Sequence, residues 1–87
     1  MDLGLKDKVI MVSGGAKGIG AGITRALALE GAMPVIIGRN EADNESMLSE
    51  IGGKGFAVTA ELTKPDECKK AVDSVINKFG KIDGLVN

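Results

Sequence analysis

A glycine-rich segment near the start of the chain, Ser13–Gly20 with the sequence SGGAKGIG, has the composition and the position of an anion-binding turn. It follows an apolar run rich in β-branched residues, typical of a buried strand, and it precedes a run with helical periodicity. A turn between a strand and a helix directs backbone N–H groups, and the positive end of the helix dipole, to one spot. The segment therefore predicts an anion site, most often for the pyrophosphate of a dinucleotide.

The spacing of the glycines suggests a separate role for each. Gly14 permits a sharp turn out of the strand, Gly18 lets the backbone approach a phosphate, and Gly20 lets the helix pack close to the sheet. The order G-x-x-x-G-x-G differs from the commoner G-x-G-x-x-G, and because Lys17 precedes Gly18 the segment is not a P-loop. The alternative is a plain glycine-rich turn without a ligand, since the chain has 13 glycines in 87 residues.

Strand and helix patterns alternate around this segment and predict an α/β fold. We predict strands at 8–12, 33–37, 55–60 and 82–86, and helices from Gly18 to the residues before Gly31, at 41–51, and from Pro65 to Gly80. Strands joined by helical crossovers are parallel. The order β-α-β-α-β-α-β therefore predicts an incomplete Rossmann-type doubly wound parallel sheet with strand order 3-2-1-4. The first two helices should cover one face and the third helix the other.

Two finer expectations concern the ends and faces of these helices. Ile19, Ile23 and Leu27 recur every four residues and predict one face of the first helix. Thr63, three residues before an acidic residue and two before Pro65, predicts the cap of the third helix.

A basic residue follows the second predicted strand, where a dinucleotide fold meets the adenosine ribose. An acidic residue there binds the 2′-hydroxyl of NAD, whereas a basic one accepts the 2′-phosphate of NADP. The strand ends in Gly38-Arg39, and an arginine can grip phosphate through two donors. Lys17 adds charge if it lies on the same side. The sequence therefore favours NADP, with NAD possible, and the alternative for both cations is a solvated loop position.

Composition argues against several classes of function. The net charge of −1 with mixed signs gives no electrostatic basis for binding nucleic acid or an anionic membrane. The absence of histidine and the single cysteine argue against a metal site and a disulfide scaffold, and they are compatible with a cytoplasmic location. No apolar run of membrane-spanning length and no export leader is apparent.

Taken together, these residues resemble the N-terminal part of the short-chain dehydrogenases/reductases. The family's opening motif Thr-Gly-x-x-x-Gly-Ile-Gly is matched by Ser13–Gly20, with serine for threonine. Glu61-Leu62 stands where the family has Asp-Val or Asp-Leu against the adenine, and Asn87 is similar to the first residue of Asn-Asn-Ala-Gly. The resemblance implies a set of candidate cofactor-binding residues. These are Ser13, Gly14, Gly15, Lys17, Gly18, Ile19, Gly20, Arg39, Glu61 and Leu62.

The resemblance also implies what the chain lacks. Family chemistry resides in a later serine and a Tyr-x-x-x-Lys motif, and this sequence contains no tyrosine. We therefore expect residues 1–87 to be the N-terminal part of a Rossmann dinucleotide-binding domain, truncated at the end of the fourth strand, with no catalytic residue and no activity alone. The parent would be a homo-oligomeric oxidoreductase that moves a hydride between a nicotinamide cofactor and a small carbonyl or alcohol substrate. The alternative is a non-catalytic nucleotide-binding module or an inactive remnant of such an enzyme.

Overall fold

Strands and helices alternate along residues 4–87, the part of the chain that the computed structural model describes. The elements in chain order are β1 (Val9–Ser13), α1 (Gly18–Leu29), β2 (Met33–Gly38), α2 (Glu41–Glu50), β3 (Phe56–Thr59), α3 (Pro65–Phe79) and β4 (Gly84–Val86). The type and order of every predicted element are confirmed, with boundaries that shift by one or two residues.

The strands form one parallel sheet in the order β3-β2-β1-β4, as predicted. In the centre of the sheet Met11 is aligned with Val35 on β2 and with Leu85 on β4. Strands β2 and β3 are added on one side of β1 and β4 on the other, so the chain reverses its direction of winding between β1 and β4. In doubly wound folds ligands bind outside the carboxyl ends of the strands at such a switch point.

Alternate residues of the central strands are buried against opposite layers of helix. On one face, side chains of β1 and β2 pack against α3. The strands contribute Val9, Met11, Val35 and Ile37, and the helix contributes Ala71 and Val75. On the other face, Ile10 and Val12 pack with α1, and Ile36 packs with Met47 of α2. The continuous apolar character of β1 and β2 thus reflects burial on both faces.

The three residues predicted to share one face of the first helix differ in burial, and the side chain of Ile19 is 85% exposed. Helix α1 begins only at Gly18, so Ile19 lies in its first turn, past the end of β1. Ile23 and Leu27, on the same side of the helix, pack against the sheet. The fully enclosed positions of α1 are the small residues Ala21 and Thr24, which lets the helix lie close to its neighbours.

The predicted cap of α3 is wrong. Lys64, not Thr63, is the N-cap residue, and within residues 4–87 no side chain caps this helix. Pro65 occupies the first turn, where its missing N–H leaves one donor fewer to satisfy. Thr63 instead donates its backbone N–H to the carboxylate of Glu61 at 3.4 Å.

Candidate functional site

The glycine-rich loop leaves the carboxyl end of β1 in a conformation that suits glycine. Gly14 and Gly18 have φ values of 67° and 55°, in the left-handed region that side chains disfavour. The N–H of Gly14 donates to the carbonyl oxygen of Ile37 at 2.8 Å, so the loop is fixed to the end of β2 as well. The loop therefore lies across the ends of the two central strands.

The amino end of α1 has backbone N–H groups that no capping side chain accepts among the described residues. Its N-cap, Lys17, has an extended backbone, and no side chain within the described residues caps it. The first N–H groups of a helix have no partner inside the helix, and they concentrate the positive end of its dipole. This end of α1 is therefore able to bind an anion.

Thr24 binds the loop to helix α1, and Gly20 lets the loop and the helix approach closely. The hydroxyl of buried Thr24 lies 2.9 Å from the carbonyl oxygens of both Gly15 and Gly20 and donates its proton to this pair. At Gly20 a β-carbon would overlap the carbonyl group of Gly14. Gly20 therefore permits close packing of the helix against the loop, and not against the sheet as predicted.

A first cavity of about 200 Å³ opens between this loop and the beginning of α2. It is lined by Gly14, Ala16, Lys17, Gly38, Arg39, Asn40, Asp43 and Asn44. Across it, the Lys17 ammonium lies 2.9 Å from a carboxylate oxygen of Asp43. The cavity thus has two cations on its wall, Lys17 and Arg39, and Lys17 is paired with a carboxylate of the same wall.

A second cavity, of about 440 Å³, lies on the other side of Arg39. It is lined by Ser13, Gly14, Ile37, Gly38, Arg39, Ala60, Glu61, Leu62 and Thr63. The Arg39 guanidinium lies 3.5 Å from the Glu61 carboxylate, while 79% of its side chain remains exposed. Hydrogen bonds from Thr63 hold the pKa of Glu61 below its usual range, and the charge of Arg39 adds to this effect. Glu61 is therefore a carboxylate at neutral pH.

The structure brings most of the candidate residues to these two cavities. Those that line one or both are Ser13, Gly14, Lys17, Arg39, Glu61 and Leu62. Gly15 is buried beneath the loop, Gly18 and Ile19 are exposed at the amino end of α1, and Gly20 is partly buried. The side chains and the helix end are consequently adjacent parts of one surface at the carboxyl ends of the strands.

Among the residues of this surface that are not in the candidate set, Asp43 and Asn44 contribute polar side chains from α2. Asn40 caps α2 by accepting the N–H of Asp43 at 3.0 Å, and a capping residue three positions before an acidic one was the available signal. Asn44 is 1% exposed and donates to the carbonyl of Gly38 at 3.1 Å. Its spacing from Met47, Leu48 and Ile51 marks the buried face of α2.

Residues 4–87 hold neither a cluster of metal-ligating side chains nor a membrane-spanning helix. No group of three or more histidine, cysteine, aspartate or glutamate side chains there is arranged to hold a metal ion. No helix in that range is long and apolar enough to cross a membrane.

Comparison with known proteins identifies relatives over nearly the whole chain. The family model for short chain dehydrogenases matches residues 8–87. L-fucose dehydrogenase of Bos taurus is 38% identical over 80 residues, and a short chain dehydrogenase/reductase of Colletotrichum higginsianum is 40% identical over 87. These matches cover 92% and 97% of this chain, respectively, but only 29% and 32% of the two relatives.

Solved structures agree with the sequence relatives. A 3-ketoacyl-(acyl-carrier-protein) reductase from Brucella melitensis, complexed with NADH, is 37% identical with a TM-score of 0.89, over 93% of this chain and 33% of that one. The citronellol catabolism dehydrogenase of Pseudomonas aeruginosa is 32% identical with a TM-score of 0.93, over 100% and 38%. The chain thus spans about a third of the length of the proteins it matches. It belongs to the short-chain dehydrogenase family.

Proposed function

We propose that residues 1–87 form the cofactor-binding portion of an NAD(P)-dependent oxidoreductase. The observation that carries the proposal is the uncapped amino end of α1, which lies with its glycine loop beside two cavities at the carboxyl ends of the strands. Doubly wound folds bind dinucleotides in that position. The bound cofactor would supply or accept a hydride at its nicotinamide ring, with a small carbonyl or alcohol compound as the other reactant.

The geometry of the loop fits a dinucleotide. No atom lies within 4 Å of the position that a β-carbon would take at Gly14 or Gly18, so the backbone there is open to a ligand. In this proposal the N–H groups between Ser13 and Gly20 hold the diphosphate. Glu61 and Leu62, which line the second cavity, lie against the adenine.

The preference for NADP rests on two cations. Arg39 lines both cavities and keeps most of its side chain exposed, so its guanidinium can leave the exposed ion pair with Glu61 and turn toward a 2′-phosphate. Lys17 lines the first cavity beside it. The Brucella reductase was solved with NADH, which supports a nicotinamide cofactor for this chain. It does not favour NADP, so the proposed preference for NADP depends on Arg39 and Lys17 alone.

The 87 residues contain no tyrosine. In this proposal, the acid–base chemistry that family members assign to a tyrosine is therefore supplied by residues outside them. We expect the chain alone to bind cofactor without catalysing hydride transfer, and the complete enzyme to be a homo-oligomer.

Titration of the complete protein with NADPH and NADH, followed by nicotinamide fluorescence, tests the proposal. We expect the unmutated protein to bind NADPH more tightly than NADH. Arg39→Ala should weaken NADPH by roughly tenfold to a hundredfold, the range for hydrogen bonds to a charged group, and should leave NADH nearly unchanged.

Arg25→Ala is the matched control, because Arg25 is an exposed arginine of α1 that pairs with Glu50 and lines neither cavity. It should change neither affinity. NADH binding at least as tightly as NADPH to the unmutated protein would contradict the cofactor preference. Failure of both nucleotides to bind would contradict the proposed function itself.

A further inference from the structure

The ion pair between Lys17 and Asp43 crosses the first cavity from one element to another. Lys17 is the N-cap residue of α1, and Asp43 lies in the first turn of α2. Their charged atoms are 2.9 Å apart, with 76% of the Lys17 side chain exposed and 33% of that of Asp43. Arg39 lines the same cavity, so its wall carries two cations and one carboxylate.

The carboxylate is the fixed member of this pair. The N–H of Asp43 is held by the side chain of Asn40 at 3.0 Å, and the next residue, Asn44, is buried and anchored to Gly38. A carboxylate in the first turn of a helix also interacts favourably with the helix dipole. Lys17, by contrast, has a long flexible stem in an exposed loop. Asp43 therefore determines where the Lys17 ammonium is held.

A phosphate that enters this cavity competes with Asp43 for Lys17. A dinucleotide without a phosphate on its adenosine ribose has no such competition, because it leaves the ion pair intact. We propose that Asp43 is a specificity-determining positioning residue, which lowers the preference for NADP over NAD by holding Lys17 away from the 2′-phosphate. The inference rests on the proposed function and extends it to a residue outside the glycine loop and the second strand.

The test is Asp43→Asn in the complete protein, titrated with NADPH and with NADH. We expect NADPH to bind roughly two- to fivefold more tightly, the range that an exposed ion pair supports, and NADH to change by less than about twofold. Glu45→Gln is the matched control, since it removes one negative charge from the exposed side of the same helix and lies outside the cavity. It should leave the ratio of the two affinities unchanged.

A double variant tests whether Asp43 acts through Lys17. When Lys17→Gln is already present, adding Asp43→Asn should no longer change the ratio of affinities, whereas a purely structural effect of Asp43 would persist. Asp43→Ser, which also removes the carboxylate, should reproduce the effect of Asp43→Asn if that variant folds poorly.

Three results would overturn the inference. They are an unchanged ratio in both Asp43 variants, an equal change in Glu45→Gln, and an undiminished effect in the Lys17→Gln background. If the unmutated protein binds neither nucleotide, the proposed function fails and the inference fails with it. If it binds both and only the ratio is insensitive to Asp43, the inference alone fails.

Discussion

Asn44 connects three elements through one buried amide group. Its side-chain nitrogen donates to the carbonyl of Gly38 at the end of β2 and lies 3.4 Å from the hydroxyl of Thr59 at the end of β3. Its side-chain oxygen is buried without a hydrogen-bond partner among the described residues. Gly38 accommodates this arrangement, because a β-carbon there would lie 2.5 Å from that oxygen. Asn44 thus fixes the backbone from which Arg39 projects.

Asn44→Ala should destabilise the protein, since it removes a buried hydrogen bond and leaves a small void. We expect the free energy of unfolding to fall by about 1–2 kcal/mol in urea denaturation. The carbonyl of Gly38 keeps its second bond, from the N–H of Ala60, which limits the loss. Ser46→Ala, at an exposed position of the same helix, is the control and should have almost no effect. Equal stabilities of the two variants would show that the Asn44 bonds contribute nothing net.

At the scale of elements, the approach of α1 to the loop depends on one glycine and not on its neighbour. A β-carbon at Gly20 would overlap the Gly14 carbonyl, whereas no atom lies within 4 Å of one at Gly22. Gly20→Ala should therefore lower the free energy of unfolding by about 1–3 kcal/mol through overpacking. Gly22→Ala should raise it by about 0.5–1 kcal/mol, because alanine is the better helix former. Changes of the same sign in the two variants would contradict this account of the helix position.

Strands β1 and β4 are joined at their beginning by Asp83. Its carboxylate accepts the N–H of Val9 at 2.7 Å, and its own N–H donates to the carbonyl of Val9 at 2.8 Å. The bond from Val9, followed by the ammonium of Lys81 at 3.0 Å, holds the pKa of the Asp83 carboxyl below its usual range. Ionised Asp83 therefore stabilises the pairing of β4 with the centre of the sheet.

This bond makes stability depend on pH in a defined direction. Because the pKa of Asp83 is lower in the folded state, its contribution is complete above the unfolded value of about 3.9 and is lost as the pH falls through the folded value. We expect Asp83→Asn to be less stable than the unmutated protein at pH 7 and the difference to shrink below about pH 4. Thermal unfolding of both proteins from pH 7 to pH 2.5 measures it. A difference that is constant across that range would contradict a role for the charge.

At the scale of the whole molecule, sequence pattern predicted the architecture because that pattern follows from burial. Strands such as β2, covered on both faces, must be apolar throughout, and helices that cross over them must be apolar on one side. The order of the elements then restricts the sheet to a few arrangements. The glycine loop could be located for the same reason, since it lies where a strand gives way to a helix.

The details of the site depend on contacts between elements that are distant in sequence, which local pattern does not encode. Lys17 and Asp43 could each be assigned to an element, but their pairing depends on how α1 and α2 are packed. The burial of Asn44 follows from the absence of a side chain at Gly38 across from it. Ile19 continues the apolar period of α1 yet is exposed, because the sheet ends before the helix begins.

A crystal of the protein soaked in NADP gives the most direct measurement of the central claim, that the amino end of α1 binds the diphosphate of a dinucleotide. We predict diphosphate oxygens about 3 Å from backbone nitrogens of the loop at Gly18 and Ile19, with the adenosine end beside Arg39. Nucleotide bound elsewhere, or a loop whose N–H groups are covered by protein, would contradict the account.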